Sequence, residues 1–543
     1  MEYIKIYLGD FLKNAGLVGF VEFLETIEIE NEYHIENDYL EIDKNFFFQN
    51  DLSKLFFEYM YKKYKFESKY STVLIKSIEN LLEVNYENET QENKKIILDS
   101  EKNLKEYFKA SSIISGLKSI NEYDNIINIL NKYFNEKSKK HLEELLNLVN
   151  KKEIRETLVA KWVAYNIINK FWTNVSFLNT QKSAKNMVDE YNKKFIEPLI
   201  DFLNNKIKKK NPYVQCIDCK TDINTSKEAT SLSFMIDMAE DTSRKVSGYW
   251  NLNPDAFLCP ICTYIYSFVP FGFMKLNIMN YVFINQNMSL EELIATNNLS
   301  IYDKKSILLN LIENNSKQLE NINVITRSNN YYKFKYINKN KIKFLSDKGK
   351  IFNYLYDSSK KIIKTDKNDK YFNNIADNIS DLVLNNIIDE RKNYNLINYL
   401  LRYQLKDDRY NTIKVSEITL ILQSDLNIFN KTGGEEQMSN KVYFAKIQGY
   451  NLKKQLLMKA NANEDSLRGM IYQLLNALKI EDQYKFLDIV IRAYSSTNLP
   501  IPEDLIDTLK SNDKFLDYGY AFVIGLKTTI LNNKDNENNE EEK

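Results

Sequence analysis

The sequence predicts an α+β protein: a mixed N-terminal region with an inserted four-cysteine ribbon, followed by an all-helical C-terminal bundle. Three observations carry this expectation. Alternating apolar residues mark short strands at Tyr3 to Tyr7 and Tyr331 to Ile337, and a short apolar run marks a buried one at Tyr281 to Ile284. Apolar residues recur at three- and four-residue spacing from Thr72 to about Phe202 and again from Asn440 to Leu531, the period of helices with one buried face. All four cysteines fall into two C-x-x-C pairs, Cys216/Cys219 and Cys259/Cys262, with 39 residues between the pairs.

At 543 residues the chain is too long for one compact core. The pattern divides it into an N-terminal α+β domain at 1–205, largely helical after 72, and a ribbon insert at 206–265. A mixed α/β domain with a basic hairpin follows at 266–430, then a helical domain at 438–531 and a disordered acidic tail at 532–543. Hydrophobic residues make up 43% of the chain, enough for globular folding. The 74 basic side chains balance 74 acidic ones, which excludes a uniformly basic nucleic-acid coat but leaves room for local basic strips.

Taken in order, the elements justify that division. Tyr3 to Tyr7 alternates as a strand does. Asp10 to Phe20 reads as a turn into a helix that runs through Leu24, with Gly9, Gly16 and Gly19 concentrated near it. These glycines suit close packing of strand against helix. They equally suit a loop over Asn14 to Phe20 whose exposed backbone approaches nucleic acid, with Asn14, Gly16 and Gly19 as contacts. The acidic stretch Glu22 to Asp43 reads as a hairpin or edge strands, and Phe46 to Tyr64 as an aromatic helix. Trp162 and Trp172 are expected to anchor a core.

Lys206, Lys208, Lys209 and Lys210 stand directly before the first cysteine pair. They suit a solvated helix end or phosphate contacts. Arg244 and Lys245 precede Ser247-Gly248-Tyr249-Trp250, a combination able to meet a nucleic-acid backbone and a base, or to pack over the ribbon. In the hairpin from Val324 to Ile337, Lys333 and Lys335 share one face with Tyr331, and Lys341 and Lys343 extend the charge. Such a strand binds nucleic acid or serves as an ordinary amphipathic surface. Asn427 to Ser439 is a break. In the final helical domain Lys453, Lys454, Arg468 and Arg492 are candidate phosphate contacts.

Two thiolates three positions apart reach one metal from a tight turn, and two such turns make the tetrahedral four-sulfur site that zinc prefers. An iron–sulfur cluster also takes four thiolates, but the ribbon-like symmetry of the pairs favours zinc. No histidine lies near, so the expected Zn2+ is structural. Only His34 and His141 exist, neither in a partner constellation, and no Walker A loop, G-x-S-x-G elbow or H-E-x-x-H motif occurs. No catalytic residue is therefore expected. No apolar run of about 18 residues predicts a membrane span. The opening has no basic segment leading into an apolar one, so a cytoplasmic protein with reduced thiols is expected.

The opening Y-L-G-D-F-L-K-N-A-G-L-V-G-F (Tyr7 to Phe20), the spaced cysteine pairs and the ending F-L-D-Y-G-Y-A-F-V-I-G-L (Phe515 to Leu526) occur together. The combination resembles the CXXC–CXXC family of CRISPR-associated large subunits from type I-B Cascade complexes. The resemblance implies a non-catalytic subunit that binds crRNA and target double-stranded DNA, recognises the PAM, aids R-loop formation and recruits the helicase-nuclease. It implies as further partners the Cascade backbone, the crRNA-processing subunits and a small subunit. Gly433-Gly434-Glu435-Glu436-Gln437 permits a purine-rich ribosome-binding sequence before Met438, so the C-terminal region is a candidate small subunit made from an internal start. The same glycines suit a flexible linker. Competing expectations are a zinc-ribbon scaffold for protein interactions and a metal-dependent nuclease, which would need clustered acidic ligands where the sequence has dispersed ones.

Overall fold

The structure is a computed structural model that describes residues 2–29, 32–84, 90–176, 186–204, 212–236, 238, 256–275, 280–286, 289–297, 321–328, 331–363, 370–432, 439–460, 464–503, 505 and 512–528. The basic run at Lys206, Lys208, Lys209 and Lys210, the segment from Arg244 and Lys245 to Trp250, the internal start at Met438 and the acidic tail lie outside the described residues. The chain is α+β and divides into two compact units. One is Met1–Leu299 with Ile322–Tyr336, the other Ser300–Asn321 with Ile337–Lys543. The division cuts through the segment 266–430.

In the first unit, β1 (Tyr3–Tyr7), β2 (Tyr33–Ile35) and β3 (Tyr39–Asp43) form an antiparallel sheet in the order β1-β3-β2, with Ile6 opposite Leu40. Alternation sets the face: Ile6, Leu40 and Ile42 are buried. Between β1 and β2 runs α1 (Phe11–Thr26), started by the Asp10 carboxylate, which accepts from the Lys13 backbone N–H at 3.0 Å. Helix α1 is apolar on nearly every side, with Leu12, Leu17, Val18, Phe20, Phe23 and Leu24 all buried, and so lies in the middle of its unit. Helix α2 (Leu52–Tyr64) packs beside it, and α3 (Lys152–Asn166) packs on α2.

The ribbon strands β4 (Val214–Gln215), β5 (Asp222–Ile223), β6 (Thr230–Ser231) and β7 (Phe257–Leu258) pair as β4-β5 and β6-β7. Two short helices follow the last cysteine pair, α4 (Pro260–Tyr266) and α5 (Val269–Gly272), and both lie against α1. The approach is backbone to backbone. A Cβ at Gly19 would stand 2.4 Å from the Phe268 carbonyl oxygen, and one at Gly272 would stand 1.9 Å from that of Ala15. This corrects the expectation of an exposed loop over Asn14 to Phe20. The segment is helical and buried, because its glycines remove the side chains that would hold α4 and α5 away.

A second antiparallel sheet, in the order β11-β10-β9-β8, completes the unit: β8 (Met274–Lys275), β9 (Asn280–Asn285), β10 (Ile322–Ser328) and β11 (Tyr331–Ile337). Strand β11 is at its edge and carries the expected lysine hairpin.

The second unit is helical among its described residues beyond β11. Its main helices are α6 (Lys339–Asp347), α7 (Gly349–Ser359), α8 (Tyr394–Lys406), α9 (Ile413–Thr432), α10 (Ser439–Ala460), α11 (Arg468–Lys479) and α12 (Asn512–Lys527). Helix α12 is buried continuously from Phe515 to Leu526 and packs most closely on α10. Inside this core Asp517 accepts from the Tyr394 hydroxyl at 2.7 Å, and burial pushes its carboxyl up to about 6.

Two stability predictions follow from this packing. Gly272→Ala should destabilise the first unit by about 1–3 kcal/mol, since backbone must move to admit the methyl. Gly469→Ala, where a Cβ meets nothing within 4 Å, should be neutral or slightly stabilising. Calorimetry of both variants makes the comparison. Asp517 keeps its proton in the fold above the pH at which an unfolded carboxyl ionises, about 3.9. Stability of the second unit should therefore fall as pH rises from about 4 to about 6, by roughly 2–3 kcal/mol from this group. Thermal unfolding against pH for Asp517→Asn should lose that part of the slope.

Candidate metal centre

The first cysteine turn is built by local hydrogen bonds. Cys216 N–H donates to the Thr221 carbonyl at 2.9 Å, and Lys220 N–H donates to the Cys216 carbonyl at 3.1 Å. Lys220 has φ 60°, the left-handed conformation that closes the turn. In the second turn Cys259 is the N-cap of α4 and Pro260 its first residue, where a missing N–H costs nothing. Cys259 Sγ accepts from Cys262 N–H at 3.5 Å, which places the Cys259 sulfur at the N-terminus of α4. The Ile217 N–H donates to the Phe257 carbonyl at 2.9 Å and ties the two turns together.

These turns bring Cys216, Cys219, Cys259 and Cys262 into one cluster. Their sulfurs all lie within 4.8 Å of one another, and Cys219 and Cys259 are 3.5 Å apart. All four are free thiols, with Cys219 the most exposed. A tetrahedral ion with ~2.3 Å metal–sulfur bonds needs sulfurs about 3.8 Å apart, so the donor set fits zinc. Thiols this close cannot ionise independently. Hydrogen bonds shared with Cys216 push Cys219 down, and those shared with Cys216 and Cys219 push Cys259 and Cys262 up. A divalent cation removes the conflict by holding all four as thiolates.

A buried ion pair joins the cluster to α1. Lys13 Nζ lies 3.4 Å from Asp218 Oδ1, and Asp218 sits inside the first turn. Burial alone would lower the lysine, but the charges of Asp218, Cys262 and Cys219 outweigh it and hold the ammonium protonated. Tyr266 of α4 reaches Asp10, the cap of α1, at 3.3 Å. Asn14 accepts from Gly9 N–H at 2.8 Å and donates to Asn285 of β9 at 2.8 Å. Sequence reading missed Lys13 and Asp218. The one signal was a lysine in an otherwise apolar run; its partner is some 200 residues away along the chain.

Among the described residues, the candidate nucleic-acid residues fall on several separate elements. Asn14, Gly16 and Gly19 are buried in α1 and are removed as contacts by their packing. Lys333 is exposed on β11, its ammonium 5.2 Å from the Tyr331 ring, and Lys335 is half-buried on the same face. Lys341 and Lys343 belong to α6 and so do not extend the strand. Lys341 is engaged by Glu390 at 2.7 Å and the Ile388 carbonyl at 2.9 Å, whereas Lys343 is exposed. Lys453 is 1% exposed and donates to the Thr528 carbonyl at 2.9 Å, so it closes the end of α12 and does not face solvent. Lys454 and Arg468 are exposed, and Arg492 is paired with Asp488 at 2.9 Å.

Residues 208–274 match the family model described as CRISPR-associated protein (Cas_CXXC_CXXC). The matched segment spans both cysteine pairs and the two helices that lie on α1, and the match supports a CRISPR-associated protein. No curated protein and no solved structure matches the chain. No described helix is long and apolar enough to cross a membrane.

Cys259→Ser should abolish stoichiometric zinc in the purified protein and lower the unfolding temperature of the first unit. Structural zinc in small modules supplies roughly 10–16 kcal/mol of apparent binding energy to folding. Zinc measured by plasma mass spectrometry at one equivalent in that variant would show the ligand assignment to be wrong.

Proposed function

We propose that this chain is the non-catalytic large subunit of a type I-B CRISPR Cascade complex, with one structural zinc held by Cys216, Cys219, Cys259 and Cys262. The observation that carries the reading is the family match over the segment whose four cysteines converge and whose helices are built into the core of the first unit. Four thiolates fill a tetrahedral zinc, so the metal would hold structure and present no open position. The chain's work would then be recognition. In RNA-guided complexes base pairing reads the sequence, and the protein reads a short duplex element and backbone shape. On this reading the subunit binds crRNA and target DNA, recognises the PAM, aids R-loop formation and recruits the helicase-nuclease.

Lys333, Lys335, Lys343, Lys454, Arg468 and Arg492 remain candidates among the described residues for phosphate contacts, which need no sequence reading. The C-terminal helical region would also be produced separately from Met438 as the small subunit. One experiment addresses both parts. A tagged chain expressed with its neighbouring genes and a repeat array should co-purify crRNA, the Cascade backbone and a fragment that begins near Met438. Purification of the chain alone, free of RNA, would reject the complex. Persistence of the small fragment after Met438→Leu would reject the internal start.

A further inference from the structure

A cleft of about 800 Å³ opens in the second unit among α7, α8, α9, α10 and the end of α12. That volume is typical of sites that seat a small ligand or part of a larger one. Four lysines line it, Lys350, Lys414, Lys446 and Lys527, against two carboxylates, Asp408 and Glu417. Both carboxylates are already engaged. Lys527 pairs with Asp408 at 2.6 Å, and Lys446 pairs with Glu417 at 2.5 Å. Two positive charges are left in excess.

Those charges sit beside an aromatic ring. Lys350 and Tyr354 are four residues apart on α7 and face the cleft together. Lys414, from the start of α9, places its ammonium 4.8 Å from the centre of the Tyr354 ring. Tyr354 is 48% exposed, unusual for a ring beside an apolar floor, here formed by Ile418 and Ile421. A flat apolar ligand can lie on the ring while an anionic group attached to it meets Lys350 and Lys414. A nucleotide has both parts: a base with a π-face and a phosphate.

We propose that this cleft binds a nucleoside phosphate, with Tyr354 stacking the base and Lys350 and Lys414 neutralising the phosphate. Lys446 and Lys527 neutralise Glu417 and Asp408, so no unpaired carboxylate opposes the charge of Lys350 and Lys414. The proposal rests on the nucleic-acid reading above in taking the nucleotide to be a unit of a single strand; a free nucleotide presents the same chemistry.

The test uses the full chain and two probes, fluorescein-labelled (dT)20 and mant-ADP, each titrated by fluorescence anisotropy. All three side chains are solvent-accessible, so variants should unfold at the wild-type temperature, which is checked first. Tyr354→Ala should weaken binding about tenfold, in line with the loss of one stacked base, and Tyr354→Phe should restore it. Lys350→Glu with Lys414→Glu should weaken binding more, and for the oligonucleotide should reduce the salt slope by about 1.4, the value for two single-strand phosphate contacts. Losses seen with (dT)20 identify a strand as the source of the nucleotide, and losses confined to mant-ADP identify a free nucleotide. Wild-type affinity and salt slope in all variants would overturn the cleft while leaving nucleic-acid binding elsewhere intact. Failure of the wild-type chain to bind either probe would overturn the cleft together with the reading on which it rests.

Discussion

The first unit depends on two pieces of helix meeting without side chains between them. Gly19 of α1 and Gly272 of α5 let the backbones approach until a single methyl group would collide with a carbonyl oxygen. The contact fixes where α4 and α5 run, and α4 begins at Cys259. The position of half the sulfur cluster is thus set by packing in the core. A metal bound by the cluster would hold β4 to β7 together, and the Lys13–Asp218 pair fastens the first cysteine turn to the first turn of α1. Ribbon and core are therefore one cooperative object, and the zinc expected there would stabilise far more than a 60-residue insert.

Burial of Lys13 and Asp218 shows how that coupling is tuned. An isolated ammonium or carboxylate in this position would cost several kcal/mol. The ammonium is tolerated because Asp218 and the thiolates make its surroundings negative; the carboxylate is tolerated only because Lys13 is present, and burial still pushes it up to about 6. The lysine belongs electrostatically to the cysteine cluster even though it is not a ligand. A change at Lys13 would leave excess negative charge beside the sulfurs, which links the α1 sequence to metal retention.

Much of this was legible in the sequence, and the pattern of what was not is physical. The cysteine spacing named all four members of the cluster because a C-x-x-C turn is a local property of a few residues. The strand at Tyr3 to Tyr7 and the hairpin through Tyr331 were legible from alternation, and the helical C-terminal region from its 3.6-residue period. The glycine-rich opening was read in two ways because its partner, Gly272, is remote in the chain. Only that partner decides between a helix packed tightly and a loop presented to solvent. Lysines were the weakest ground. Lys453 and Lys454 are neighbours, yet one is buried and one exposed. Here a signal was available: Lys453 shares the buried face of α10 with Val442, Ala445, Gly449 and Leu452, at helical spacing. Tyr354 and Lys414 carried no such signal, since their proximity arises only from how α7 meets α9.

The central claim is that the four-cysteine cluster is a strut of the first unit. Hydrogen exchange read by mass spectrometry tests it directly, comparing the zinc-loaded full chain with the same protein after chelation. The account predicts lost protection along 214–235, across 256–272 and in α1 from Phe11 to Thr26, with the second unit unchanged. Unchanged protection in α1 after complete removal of the metal would contradict it.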